Sequence, residues 1–365
     1  MLYDLTRENK TDEQIGFELK QVELTEQLTV RAMNSLARFA QGAQTVEQIY
    51  ILEAKSALLA PPTEESPALA APDAAKQAEI LGKADAYVRT VYGALPSLQA
   101  IRTTLRFQDN LNAISAASGV QGGAKDAAVS NGIMGDPANQ YVRYIHSTQE
   151  KVSFQKGTEE PGAPDKSPQW GQNGMIVLEG PDPALGRTFA DAHASGQLAF
   201  VRWENVNGKS AAVFSYSVDK KKAYFPVNIC CFPTINQTGT ARFYSSTLSS
   251  VSGLNGGGVK GDMRQSTEWH NYKSTVPYHG LIFINPESGI VVRLVTQAEF
   301  STSDNVRQQD ERIDYAPVRV DNRTLVLPVR TIVQSEVQPQ GDSGVGGHAT
   351  RRTYFTSEFK NYTLK

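Results

Sequence analysis

Pro277-Tyr-His-Gly-Leu-Ile-Phe-Ile-Asn-Pro-Glu-Ser-Gly-Ile-Val-Val-Arg-Leu294 is the stretch around which the rest of the chain is read. Leu281 to Ile284 form an apolar run, and Ile290 to Val295 resume it with β-branched residues. Between them, Pro286 presets φ for a type I turn and Gly289 supplies the positive φ that closes a hairpin loop. The stretch therefore predicts strand, tight turn, strand. Arg293, alone in its apolar run, is expected to face solvent or to pair with Asp314 or Glu299. The neighbouring segments are expected to pair with this hairpin or pack on it.

Working outward, the same pattern recurs. Leu198-Ala-Phe-Val-Arg-Trp-Glu204, then Asn207-Gly208, then Ala211 to Val218 predicts a second hairpin, since Asn-Gly is the strongest short hairpin signal. Ile101 to Phe107 alternates apolar and polar residues as a half-buried strand does. Tyr141 to His146 with Lys151 to Phe154 reads as another hairpin. Ile313 to Val320 and Leu325 to Val333 flank an Asp321-Asn322 turn. Pro328 removes a ladder donor, which predicts an edge or a bulge. Arg351 to Tyr362 is the last strand, and Ala184 to Ala194 a short helix. Residues 110 to 137, 157 to 173, 234 to 275 and 336 to 350 read as loops.

The front of the chain has helical spacing instead. Thr11-Asp-Glu-Gln14 and Thr45-Val-Glu-Gln48 are capping-box patterns, predicting an αα-hairpin over residues 11 to 59 whose first arm is one bent helix or two short ones. Four prolines from Pro61 to Pro72 predict a semi-extended linker. Asp73 is placed to cap a further helix carrying Ile80, Ala84 and Val88. The predicted organisation is a helical hairpin over 1–60, a linker over 61–72, and an α+β domain over 73–365. Its core is one curved, mostly antiparallel β-sheet, a half-barrel with helices at the front.

Composition excludes more than it assigns. The chain has 365 residues, enough for one large domain or two ordinary ones, and 36 basic against 38 acidic residues. That balance argues against nucleic acid as a partner. No run approaches a transmembrane segment. Met1 to Asn9 lack the apolar core of a signal peptide, so the chain as written is expected to be soluble and unexported. Cys230 and Cys231 are adjacent, closer than an ordinary disulfide favours, and read as two small apolar residues at a strand end. No zinc pattern and no cofactor motif occur.

No catalytic constellation stands out. Gly341-Asp-Ser-Gly344 mimics the nucleophile tetrapeptide of trypsin-like proteases, but a triad needs a positioned His and a buried Asp, and the flanks of His193 do not match. The simpler reading is a turn. Gly208-Lys-Ser210 ends like a phosphate loop, yet Trp203 stands where Gly is required, so it reads as a hairpin turn. Gly253 to Gly258 lacks the strand-loop-helix setting of a nucleotide site. His146 and Glu150 have the four-residue spacing of helical metal ligands but fall in a strand. His279 opens the central hairpin and is expected to bond backbone. Arg102, Arg106, Arg202 and Arg293 present a basic stripe only if they share one sheet face.

The stretches Phe200 to Glu204, Val213 to Val218, Tyr278 to Gly289, Asp314 to Val318 and Leu327 to Arg330 resemble a family of uncharacterised exported proteins, mostly acidobacterial. Thr25-Glu26, Pro61-Pro62, Pro72-Asp73, Leu95-Pro96 and Arg102-Thr-Thr104 are similar to the same family's front end. More remotely, the strand order resembles the periplasmic lipoprotein-carrier and sigma-factor-sensor fold, a curved sheet cupping helices around an acyl-chain cavity. The resemblance implies a cell-envelope or periplasmic setting. It makes the leading expectation a non-enzymatic binding module for a lipid or lipidated peptide. Its apolar concavity is expected to be lined by Leu105, Phe107, Phe214, Tyr216, Phe283 and Val292. A ligand-free interaction scaffold is the second expectation, and a serine hydrolase built on the Ser343 loop the third.

Overall fold

A computed structural model describes residues 4, 6, 8–109, 141–160, 177–178, 185–195, 197–223, 225–233, 269–302, 304, 306–337 and 351–365. The Gly256 to Gly258 and Ser343 loops, and the expected loop over 110 to 137, lie outside the described residues.

The central hairpin forms as its residues predict, with strands β9 (Tyr278–Ile284) and β10 (Val291–Ala298). Asn285 Oδ1 accepts from the backbone N–H groups of Glu287 and Ser288, and Gly289 takes φ 73°. The hairpin lies inside a ten-stranded antiparallel sheet ordered β3-β2-β1-β13-β12-β11-β10-β9-β6-β5. The other members are β1 (Leu98–Gln108), β2 (Arg143–Gln155), β3 (Thr158–Glu159), β5 (Ala199–Val206), β6 (Lys209–Val218), β11 (Val306–Val320), β12 (Arg323–Val337) and β13 (Arg351–Leu364). The β5–β6 turn has Asn207 at φ 53° and Gly208 at φ 78°, both left-handed as a two-residue hairpin loop requires.

Two expectations about the sheet need correction. The sheet is not strongly curled, so it is not a half-barrel. Nor do all strands join it, since β4 (Val177–Leu178), β7 (Phe225–Pro233) and β8 (Trp269–Val276) make a separate three-stranded sheet. Cys230 and Cys231 lie in β7. Pro328 stands in an interior strand, not at an edge, and the register of β11 against β12 shifts beside it, between Asp314 and Tyr315. The shift accommodates the missing donor.

Gly280 shows why one position in β9 lacks a side chain. A Cβ there would lie 1.9 Å from the carbonyl oxygen of Val295 and 2.9 Å from the Tyr216 hydroxyl. Tyr216 crosses its strand neighbour at this point, donating to Val295 O at 3.0 Å and lying 2.9 Å from Thr296 Oγ1.

Both faces of the large sheet are packed. On one, α4 (Ala74–Tyr87), continued by a π-helical turn over Val88–Tyr92, and α5 (Leu185–Ser195) cover the main core. Asp73 caps α4 by accepting from Lys76 N–H. On the opposite face lie α1 (Asp12–Lys20), α2 (Val30–Ala37) and α3 (Ala43–Ser56). Among the described residues from 11 to 59 the front end is thus two short helices, α1 and α2, followed by α3. Thr11 makes the expected capping box with Gln14. Thr45 does not, because α3 starts earlier, at Ala43 with Gly42 as its N-cap. Its first turn is capped from outside: Asp12 of α1 accepts from Gln44 N–H, Thr45 N–H and Thr45 Oγ1 at 2.9, 2.9 and 2.6 Å. A carboxylate at a helix N-terminus satisfies orphan donors and complements the dipole.

The helix α3 carries the front end onto the sheet. Ile51, Ala54 and Ala57 pack with Phe107, Ile332 and Tyr354. Glu53 and Arg330 form a buried ion pair at 2.5 Å, and Gln334 Nε2 donates to Ala54 O at 2.8 Å. The proline-rich segment lies against edge strand β5, where Trp203 Nε1 donates to Ala70 O at 2.9 Å. A short turn over Thr63–Glu65 interrupts its extended run.

Candidate functional site

The candidate site is built on the face that carries α1 to α3. It begins with charge spacing in strands. Successive residues of a strand point to opposite faces, so residues two apart share one. Arg202 and Glu204 in β5, and Arg312 and Asp314 in β11, are two such pairs, and the strand register adds Arg293 between them. Arg202 Nη2 donates to Glu204 Oε2 at 2.7 Å, and Arg293 Nη1 to Glu204 Oε1 at 3.2 Å. Arg293 Nε donates to Asp314 Oδ1 at 2.5 Å, and Arg312 Nη2 to Asp314 Oδ2 at 2.9 Å. Arg293 reaches Glu204 across the ring of Phe283, its guanidinium 5.2 Å from the centroid. Arg312 Nη1 donates to Ala57 O at the C-terminal end of α3, where a cation is favoured.

All of these groups except Arg202 are buried. Burial by itself pushes Asp314 up, but the guanidiniums of Arg293 and Arg312 outweigh it and hold the carboxyl below the ordinary range. For Arg312, burial and then the charge of Arg293 lower the pKa. Asp314 is thereby committed as an acceptor. Breaking such a chain is costly, because each remaining charge would stay buried without a partner.

A cleft of about 610 Å³ opens over this chain. Its walls are α2, through Arg31, Asn34 and Arg38, the Thr63–Glu65 turn, through Glu64 and Glu65, and the β5–β6 hairpin, through Asn205 and Asn207. Glu204, Arg293 and Arg312 form its inner end. Val30, Pro61 and Gly208 are the lining residues without a polar side chain. The volume is in the range of small-ligand sites, which are usually more apolar. Arg293 commits Nε and Nη1, while its Nη2 donates to no acceptor among the described residues. The cleft thus offers guanidinium and amide donors to a polar ligand.

The six residues expected to line an apolar concavity do not share a face. Leu105 and Phe107 lie under α3 with Ile332 and Tyr354. Phe283 and Val292 are on the same side, in a cluster with Val206, Val213 and Val295. Phe214 and Tyr216 are on the opposite face, in the core beneath α4 and α5. None of the six lines the cleft. The four arginines also separate. Arg102 pairs with Glu150 and Glu159, and Arg106 lies over Phe355, on the α4 side, whereas Arg202 and Arg293 lie on the α3 side. Of the two partners expected for Arg293, Asp314 is the one it meets. His279 Nδ1 lies 3.0 Å from Glu299 Oε1, a carboxylate partner that sequence reasoning did not find. Glu150 serves Arg102, and no cluster of three or more metal-ligating side chains occurs among the described residues. Sequence reasoning missed Glu204, Arg312 and the α2 wall. The two-residue spacing of Arg202-Glu204 and Arg312-Asp314 was the available signal.

In comparisons with protein-family models, curated proteins and solved structures, the chain matches none.

Proposed function

We propose that this protein is a non-enzymatic binding module whose ligand seat is the polar cleft between α2, the Thr63–Glu65 turn and the β5–β6 hairpin. The observation that carries the reading is Arg293, a buried guanidinium that lines the cleft with Nη2 uncommitted among the described residues. A guanidinium nitrogen that opens onto a cleft while its neighbours are fixed by carboxylates is a pre-oriented donor for a ligand. Glu204 and Asp314, held by arginines, support binding rather than proton transfer. The expected acyl chain gives way to a small polar ligand in this reading, because most side chains lining the cleft are polar or charged and the sheet's apolar faces are packed. The resemblance to exported proteins supports a setting in the cell envelope.

The test is thermal stabilisation of the full chain by a panel of amino acids, organic acids, sugars and palmitate. It is run beside Asn34→Trp, which fills the cleft from an exposed helix position. A polar compound is expected to stabilise the wild type saturably and to lose its effect in the variant. Stabilisation by palmitate alone, or shifts equal in both proteins, overturns the reading.

A further inference from the structure

Two arginines and two glutamates line the cleft without pairing. Arg31 and Arg38 are seven residues apart, so they fall on one side of α2, about 10 Å apart along its axis. Glu64 and Glu65 stand on a separate element, the turn after Pro61. None of the four enters an ion pair among the described residues, although this chain pairs charges freely elsewhere. In the buried chain beneath them, Arg293 Nη2 has no acceptor among the described residues and adds a donor at the inner end. The cleft therefore holds positive charge on its helical wall and negative charge on its turn wall, and keeps them from neutralising each other.

A simple anion would satisfy the arginines and be repelled by Glu64 and Glu65. A simple cation would meet the reverse. A ligand carrying both charges meets a partner on each wall. Charge-assisted hydrogen bonds to both ends are then available, and planar guanidinium suits a carboxylate. Asn34 and Asn207 supply neutral donors and acceptors on the helical and hairpin walls.

We infer that the cleft recognises a small zwitterion with a free ammonium and a free carboxylate, as in an amino acid or a short peptide with unblocked ends. Arg31 and Arg38 with Arg293 take the carboxylate, and Glu64 and Glu65 take the ammonium. The inference rests on the proposed binding function and names its ligand class.

Isothermal titration of the full chain at low ionic strength tests it, with alanine, tetra-alanine, N-acetyl-tetra-alanine and tetra-alanine amide as probes. Saturable binding is expected for alanine or tetra-alanine, and which of them binds distinguishes amino acid from peptide. For a peptide, blocking one end should weaken binding about tenfold or more, the loss of one charge-assisted bond. Arg31→Gln/Arg38→Gln should erase the preference for acid over amide and keep the preference for free amine over acetyl. Glu64→Gln/Glu65→Gln should do the opposite. For alanine, the same comparison uses alaninamide and N-acetylalanine. All four side chains lie at the surface, so the variants are expected to fold. Blocked and free probes binding equally, or neither pair of substitutions changing the matching preference, overturns the inference. If no zwitterion binds while another polar compound stabilises the wild type but not Asn34→Trp, this inference fails and the binding function stands. If nothing occupies the cleft, both fail.

Discussion

Glu53 and Arg330 give the sharpest test of how the helical front end is held to the sheet. Their side chains meet at 2.5 Å, and the two residues are 3% and 8% exposed. With charge centres about 4 Å apart and an effective dielectric of about 20, their attraction is about 4 kcal/mol. Glu53→Leu keeps the bulk under α3 but leaves the Arg330 guanidinium buried without its carboxylate. Its Nε already has no acceptor. The expected loss is about 3–5 kcal/mol, the usual consequence of breaking one half of a buried pair. Arg330→Met should cost a similar amount, since burial already pushes the Glu53 carboxyl up and the cations of Arg330 and Arg312 oppose that rise. The double variant replaces both charges with apolar bulk and should be more stable than either single variant. Urea unfolding of the four proteins gives the coupling energy directly. Losses that add to within about 0.5 kcal/mol would refute the reasoning, because independent sites behave that way.

Other expectations follow from particular contacts. Gly280→Ala places a Cβ 1.9 Å from the Val295 carbonyl oxygen on the paired strand, so it should destabilise by at least about 3 kcal/mol in urea unfolding; a loss under 1 kcal/mol would mean the strands separate easily. Asp314 titrates below its unfolded value of 3.8, so its contribution is present above that pH and is lost as pH falls through the lower folded value. Asp314→Asn should therefore be less stable than wild type at neutral pH and lose less stability on acidification from about pH 4 to pH 2; parallel acid limbs would contradict this. Trp203→Phe keeps a ring against the proline-rich segment but removes the N–H that donates to Ala70 O. It should cost about 0.5–1.5 kcal/mol locally and speed proteolytic cleavage within 61–72, and unchanged cleavage would show that packing alone holds the segment.

Much of the fold is local chemistry, and local chemistry is legible in the sequence. The β9–β10 and β5–β6 hairpins follow from Asn285 to Gly289 and from Asn207-Gly208, because only certain residues tolerate the φ values those turns need. Asp73 and Thr11 mark helix starts for the same reason, since each satisfies orphan N–H groups within three residues. Thr45 misled because the group capping α3 comes from Asp12, more than thirty residues earlier. The apolar set failed for a related reason. Side chains alternate within a strand, but nothing local says which face of Phe107 shares a side with which face of Phe214. One residue of register reverses the answer, and the register is set by pairing between strands far apart in sequence. The cleft is the extreme case. Arg31, Glu64, Glu204, Arg293 and Arg312 come from five separate elements, and only the docking of α2 and α3 on the sheet gathers them. The hairpins, their turns and the caps of α1 and α4 were thus determined by the sequence itself, because their energies depend on neighbours along the chain. Faces, partners of buried charges and the cleft were decided by tertiary structure, because those energies depend on residues that meet only in the folded protein.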